Sequence, residues 1–127
     1  LDVLLAESDV VTLHARVSEE TTQMINKDTL RKMKNDALLV NTARGPLCNY
    51  DDLYDALRDG TIGGAMLETF SIEPTPPEWP LLQLDNVTLT PHIAGASVRT
   101  AQLVAQKLAE EGRRYLNDEP LQNRGGG

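Results

Sequence analysis

The segment NDALLVNTARGPLCN, residues 35–49, decides the fold. Residues 37–40 are apolar at every position and are bounded by polar residues, the pattern of a short strand covered on both faces. Asn41 to Asn49 then holds Gly45 and Pro46 and reads as a turn. Asn49 suits the N-cap of an amphipathic helix in which Leu53, Ala56 and Leu57 share one face, and Gly60 ends it. Upstream, residues 1–6 read as the end of a helix, Asp9 to Leu13 (DVVTL) as another short strand, and Asn26 as the cap of a helix reaching about Met33. Downstream, Gly63 to Leu67 and Val87 to Thr90 are two further strands. The loop between them carries Pro74, Pro76, Pro77 and Pro80 and is read as stiff, with no room for a helix. Ser97 caps the longest helix, to about Leu116, with Ala101, Val104, Ala105, Leu108 and Tyr115 on one side.

Apolar strands alternating with helices predict an α/β fold: a parallel, Rossmann-type sheet with helices on both faces. In such sheets ligands bind at the carboxyl ends of the strands. The unusual polar residues of this chain fall there: His14 after the first strand, Asn41, Thr42 and Arg44 after the second, Glu68 and Glu73 after the third, and His92 after the fourth.

The chain has 127 residues, with 12 Lys and Arg against 19 Asp and Glu, a net charge of −7. That length allows one domain at most. A hydrophobic share of 40% with 24% charged residues excludes collagen, coiled-coil and low-complexity classes. The acidic balance argues against nucleic acid or an anionic membrane as partner, although one Arg can still bind a small anion locally. Cys48 is the single cysteine, so a disulfide framework is excluded and a reducing, cytoplasmic setting is expected. No stretch is apolar for long enough to span a membrane. The two histidines lie far apart without an acidic cluster, so no metal site is expected. The chain opens at Leu1 inside a helix-like stretch, and an upstream portion is expected to be missing.

An arginine, a carboxylate and a histidine on one rim suggest specific chemistry. Arg44 can grip a carboxylate through two parallel hydrogen bonds and polarise an adjacent carbonyl while keeping its charge. His92, between Pro91 and the turn-forming Gly95, can move a hydroxyl proton. Glu73, if it meets His92, orients the ring and favours its protonated form. The set suits interconversion of an alcohol and a ketone beside a carboxylate. No side chain accepts hydride, so a nicotinamide cofactor, NAD or NADP, is implied. Cys48 and Ser71 lie in no nucleophile signature, which disfavours a hydrolase. His14 is read as strand-end packing and Trp79 as a loop anchor.

SDVVTLH (8–14), NTARG (41–45), GGAMLETFSIEP (63–74) and LTPHIAGAS (89–97) resemble, in order, the motifs of the D-isomer-specific 2-hydroxyacid dehydrogenases. The resemblance runs to about Pro120. It implies that Arg44 binds substrate, His92 transfers the proton and Glu73 is its carboxylate partner. It also implies cofactor contacts from Thr42, Ala43, Arg44, Glu68, His92 and Gly95. A small 2-keto or 2-hydroxy acid would be the substrate, and the full-length protein would be a homodimer. Formate-oxidising members pair the His with Gln, so Glu73 favours members that move a proton. By the same resemblance, residues 1–96 are the second half of the cofactor-binding domain, 97–116 a helix returning toward a substrate domain, and 117–127 a loose tail. The alternative is a dinucleotide-sensing, corepressor-like protein of the same fold, whose partner binding should survive His92→Gln.

This sequence departs from the family in three places. Glu68 stands where the family usually has Asp, and Arg16 where it usually has Pro. The glycine-rich turn that holds the pyrophosphate at a helix N-terminus does not occur in this chain. The isolated segment is therefore expected to bind NADH weakly. Titration with NADH should give no saturable rise in nicotinamide fluorescence at micromolar concentration; such a rise would refute the expectation.

Overall fold

The computed structural model describes residues 1–123 and divides into two compact units, Leu1–Ile93 and Ala94 onward. The first unit holds helix α1 (Asp2–Glu7), strand β1 (Val10–Leu13), helix α2 (Lys27–Leu30), strand β2 (Leu38–Asn41), helix α3 (Tyr50–Arg58), strand β3 (Gly64–Leu67) and strand β4 (Val87–Leu89). The four strands form one parallel sheet in the order β1-β2-β3-β4. Short 3-10 turns cover Gly45–Leu47 and Pro80–Gln83. The second of these lies in the proline-rich loop, where no helical turn was expected. Pro80 starts it because its fixed φ suits a first helical position and its missing N–H costs nothing there.

The register sets Val11, Leu39, Ala65 and Val87 abreast, followed two residues on by Leu13, Asn41, Leu67 and Leu89. These positions point to one face, which packs on Leu30 of α2 and Leu53, Ala56 and Leu57 of α3 in a single buried core. The other face is open: Val10 is 54% exposed, Leu38 46% and Met66 38%. The expectation of strands covered on both faces is thus corrected. Right-handed crossovers that always step the sheet in one direction place every connecting helix on the same side. The strand order here never reverses.

Local signals explain the elements. The Asn26 side chain accepts the N–H groups of Asp28 and Thr29, and the Thr29 hydroxyl accepts the N–H of Asn26, closing a capping box at α2. This helix ends at Leu30, earlier than the pattern to Met33 suggests, because the chain tightens into shorter-range bonds from Lys32 N–H to Thr29 and from Met33 N–H to Leu30. Asn49 caps α3 by accepting the N–H of Asp52, and Gly60, with φ of +68°, lets the chain leave it.

In the second unit, helix α4 (Val98–Leu116) starts at Ser97, whose hydroxyl accepts the N–H of Thr100, and it buries none of its residues. Residues 118–123 turn back on it: Arg113 donates two bonds to the Glu119 carboxylate, and the Glu111 carboxylate accepts from Gln122 and Asn123. The last four positions of the tail expected at 117–127 lie outside the described residues. Among the described residues, no helix is long and apolar enough to cross a membrane.

Leu39 is fully buried at the centre of the sheet. Leu39→Ala is expected to lower unfolding stability by about 2–5 kcal/mol in urea titration. Leu38→Ala, on the open face of the same strand, should cost much less.

Candidate active site

The strand ends form a common rim, and three loops leave from it. The β2 loop is shaped by Asn41, the last residue of the strand. Its backbone lies on the ladder, where its carbonyl accepts the N–H of Glu68, and its side chain points into the fully buried inner face. There Oδ1 accepts the Ala43 N–H at 3.1 Å, while Nδ2 donates to the Arg44 carbonyl at 3.0 Å and to Cys48 Sγ at 3.6 Å. The buried Cys48 thiol is pushed up to about 12 by desolvation, so it stays protonated and unreactive at neutral pH. Arg44 itself is exposed, and its Nη1 donates to the neighbouring Ala43 carbonyl at 2.7 Å.

Gly45 follows, and here glycine is required by space: a Cβ would sit 2.1 Å from the backbone carbonyl carbon of Phe70. The Arg44 loop therefore lies directly against the β3 loop. The buried Tyr50 hydroxyl donates to the Thr69 carbonyl. Trp79 packs on Tyr50, with ring centres 5.2 Å apart, and edge-on against Phe70 at 5.6 Å. The anchoring role read for Trp79 is what these contacts describe.

Within this loop, one Glu73 oxygen accepts the Phe70 N–H at 2.8 Å and the other bonds His92 Nδ1 at 2.9 Å. Both oxygens are thus committed, one to its own loop and one to the β4 loop. Glu73 is held below the usual carboxylate range, first by the hydrogen bond with His92, then by the Phe70 N–H, with smaller contributions from the charges of His92 and Arg44. Arg44 is therefore close enough for its charge to reach Glu73, although its guanidinium forms no hydrogen bond with it. At His92 the backbone itself takes the left-handed conformation, with φ of +53°. The chain turns at Ala94 and Gly95 as expected, but Gly95 keeps an ordinary φ and the left-handed residue is the histidine. A histidine with positive φ is uncommon and strained, and such strain gathers where a side chain must be presented in one direction.

Two clefts open at the rim. One of about 400 Å³ is lined by Phe70, Glu73, Leu82, Leu89, Thr90 and His92, among others. A second of about 620 Å³ lies between the β1 and β2 loops against His14, Ala15, Arg16, Val17, Ala43 and Arg44. Thr42 is exposed in the β2 loop, and Glu68 is 4% exposed at the end of β3 and lines neither cleft. Gly95 lies in the second unit, and a Cβ there would meet nothing within 4 Å. The His14 ring bonds the Thr12 hydroxyl at 3.1 Å, a local strand-end contact. The structure thus joins Glu73 to His92 directly, while Arg44, on the neighbouring loop of the rim, forms no hydrogen bond with either. Asn41, which holds the Arg44 turn, is the residue that sequence reasoning noted on the rim without giving it a task. A polar residue closing an otherwise apolar strand was its only signal.

A one-way parallel sheet whose polar residues gather at the carboxyl ends of its strands defines an α/β domain of the nucleotide-binding type. Residues 1–94 match the family described as D-isomer specific 2-hydroxyacid dehydrogenase, NAD binding domain, and the chain belongs to that family. It is 48% identical over 109 residues to the glyoxylate reductase of Thermofilum pendens, covering 86% of this chain and 32% of that protein. It is 43% identical to the D-3-phosphoglycerate dehydrogenase of Archaeoglobus fulgidus over 96% of this chain and 23% of the relative. Among solved structures, a D-isomer specific 2-hydroxyacid dehydrogenase from Xanthobacter autotrophicus, in complex with NADPH and MES, superposes with a TM-score of 0.87 at 36% identity, covering 99% of this chain and 51% of that one. The chain spans a quarter to a third of the length of these two curated relatives.

The pH dependence of the Glu73–His92 contact follows from its direction. A carboxyl held below its unfolded value stabilises the loop fully above the ordinary carboxylate range, and that contribution is lost as pH falls through the folded value. Carbon-13 NMR titration should show the Glu73 carboxyl titrating lower than in the His92→Gln variant. Equal midpoints would mean that the contact does not persist in solution.

Proposed function

We propose that this chain is part of an NAD(P)-dependent oxidoreductase that interconverts a 2-keto acid and a D-2-hydroxy acid. The observation that carries the reading is the 2.9 Å contact between Glu73 and His92 on a rim where the charge of Arg44 also reaches Glu73. Support comes also from the names of the relatives, a glyoxylate reductase and a D-3-phosphoglycerate dehydrogenase.

The residues present fit the nicotinamide side of a dinucleotide. The larger cleft is walled by Ala43 and Arg44 at the end of β2, with the exposed Thr42 beside them. Thr42, Ala43, Arg44, Glu68, His92 and Gly95 are the proposed contacts, and the turn for the pyrophosphate is not among these residues. Bound NAD(P) would supply or take up the hydride.

Arg44, fixed in charge, pairs with the substrate carboxylate and draws electron density from the neighbouring carbonyl. With Nδ1 committed to Glu73, His92 has Nε2 left to give a proton to the carbonyl oxygen in reduction or to take it from the hydroxyl in oxidation. Glu73 holds the ring orientation through its 2.9 Å contact with Nδ1. For the complete protein, the same reading takes a small 2-keto or 2-hydroxy acid as substrate and expects homodimeric assembly in the cytoplasm.

His92→Gln in the complete protein should lower kcat for a 2-keto acid by roughly 100- to 10,000-fold. NADH binding, followed by nicotinamide fluorescence, should persist. Retained turnover would overturn the proton-transfer role.

A further inference from the structure

We infer that Asn41 is a positioning residue for Arg44: its buried carboxamide is the template on which the Thr42–Ala43–Arg44 turn is built. The inference rests on the reading of Arg44 as the substrate-carboxylate residue. Asn41 is the only polar residue that the sheet register places on the inner face of β2, and it is completely buried. Burial of an unpaired carboxamide is costly, so each of its groups must find a partner. Ala43, Arg44 and Cys48, which its side chain bonds, lie within the next seven residues. The carbonyl oxygen takes the Ala43 N–H, and the amide nitrogen gives one hydrogen to the Arg44 carbonyl and shares the other with Cys48 Sγ. The two peptide groups on either side of the Ala43–Arg44 pair, 42–43 and 44–45, are therefore held by one rigid side chain.

This hold matters because the guanidinium has little other support. Its recorded hydrogen bond goes to the Ala43 carbonyl, within the same turn. Beyond Arg44, the bare backbone of Gly45 is pressed against Phe70. The turn is thus clamped by Asn41 before the arginine and by a backbone contact after it, and the arginine's direction follows from that clamp. The residue type is specific. Aspartate would keep the bond from Ala43 but lose both donations and bury a charge, and glutamine would push the amide one methylene too far. A misplacement of about 1 Å at a binding group can cost on the order of 100-fold in rate.

The test uses the complete protein with glyoxylate and NADH. Asn41→Ala and Asn41→Ser should raise the KM for glyoxylate by roughly ten- to a hundredfold. Either change made together with Arg44→Gln should add less than about twofold to the loss from Arg44→Gln alone, because both act through one group. Cys48→Ala, which removes the sulfur partner only, should leave KM unchanged. An unaltered KM in the Asn41 variants, or losses that multiply with Arg44→Gln, would overturn the inference. Amide exchange of the unmodified protein gives a second readout that needs no variant. Ala43 N–H, beyond the end of the strand ladder, should exchange slowly, and fast exchange there would also overturn the template. If Arg44→Gln itself leaves the glyoxylate KM unchanged, the functional reading fails instead, and Ala43 exchange still decides whether the turn is held.

Discussion

Parallel register is the constraint on which the rest of the first unit depends. Leu13, Asn41, Leu67 and Leu89 stand abreast, so all four strands end on one rim and every connection leaves from it. Ladder bonds run slightly past the strands, from Glu68 N–H to the Asn41 carbonyl and from Thr90 N–H to the Leu67 carbonyl. Arg44, Glu73 and His92, far apart in the chain, arrive at one edge because parallel strands all point the same way. A shift of one residue in any pairing would turn the inner face of that strand outward and move its loop.

Register alone does not orient side chains, and the loops carry their own supports. Three buried or half-buried aromatic residues, Tyr50, Phe70 and Trp79, hold the β3 loop on α3. Aromatic pairs of this kind contribute about 0.5–1.5 kcal/mol each beyond their buried area. The exposed Glu73–His92 pair adds little stability by comparison. The architecture therefore holds the pair in place, and the pair does not hold the architecture. The loops that carry the pair are set by packing elsewhere, while the contact itself stays open to solvent.

The one-sided sheet has the same origin as the rim. Because the strands follow one another across the sheet without reversal, the helices that connect them within the first unit lie on one face and leave Val10, Leu38 and Met66 exposed on the other. Ligand sites in open α/β sheets favour the point where strand order reverses. These four strands contain no such reversal, and the clefts at their ends lie on the open rim.

Much of this was written in the sequence because the signals are local. Four apolar runs marked the strands to within a residue or two, Asn26, Asn49 and Ser97 marked helix starts, and Gly60 marked a helix end, since each acts on neighbours within a turn. The family motifs also named the residues of the rim. Other features depended on contacts between distant segments. The close approach of Gly45 to Phe70 and the bond from Tyr50 to Thr69 exist only once β2 and β3 pair. The inward aim of Asn41 follows from which face the helices cover, and the left-handed turn at His92 from where Glu73 waits for the ring. Residue type decided which chemistry was possible; the pairing of strands decided which groups meet, because hydrogen bonds and close packing act over a few ångströms of space and not along the chain.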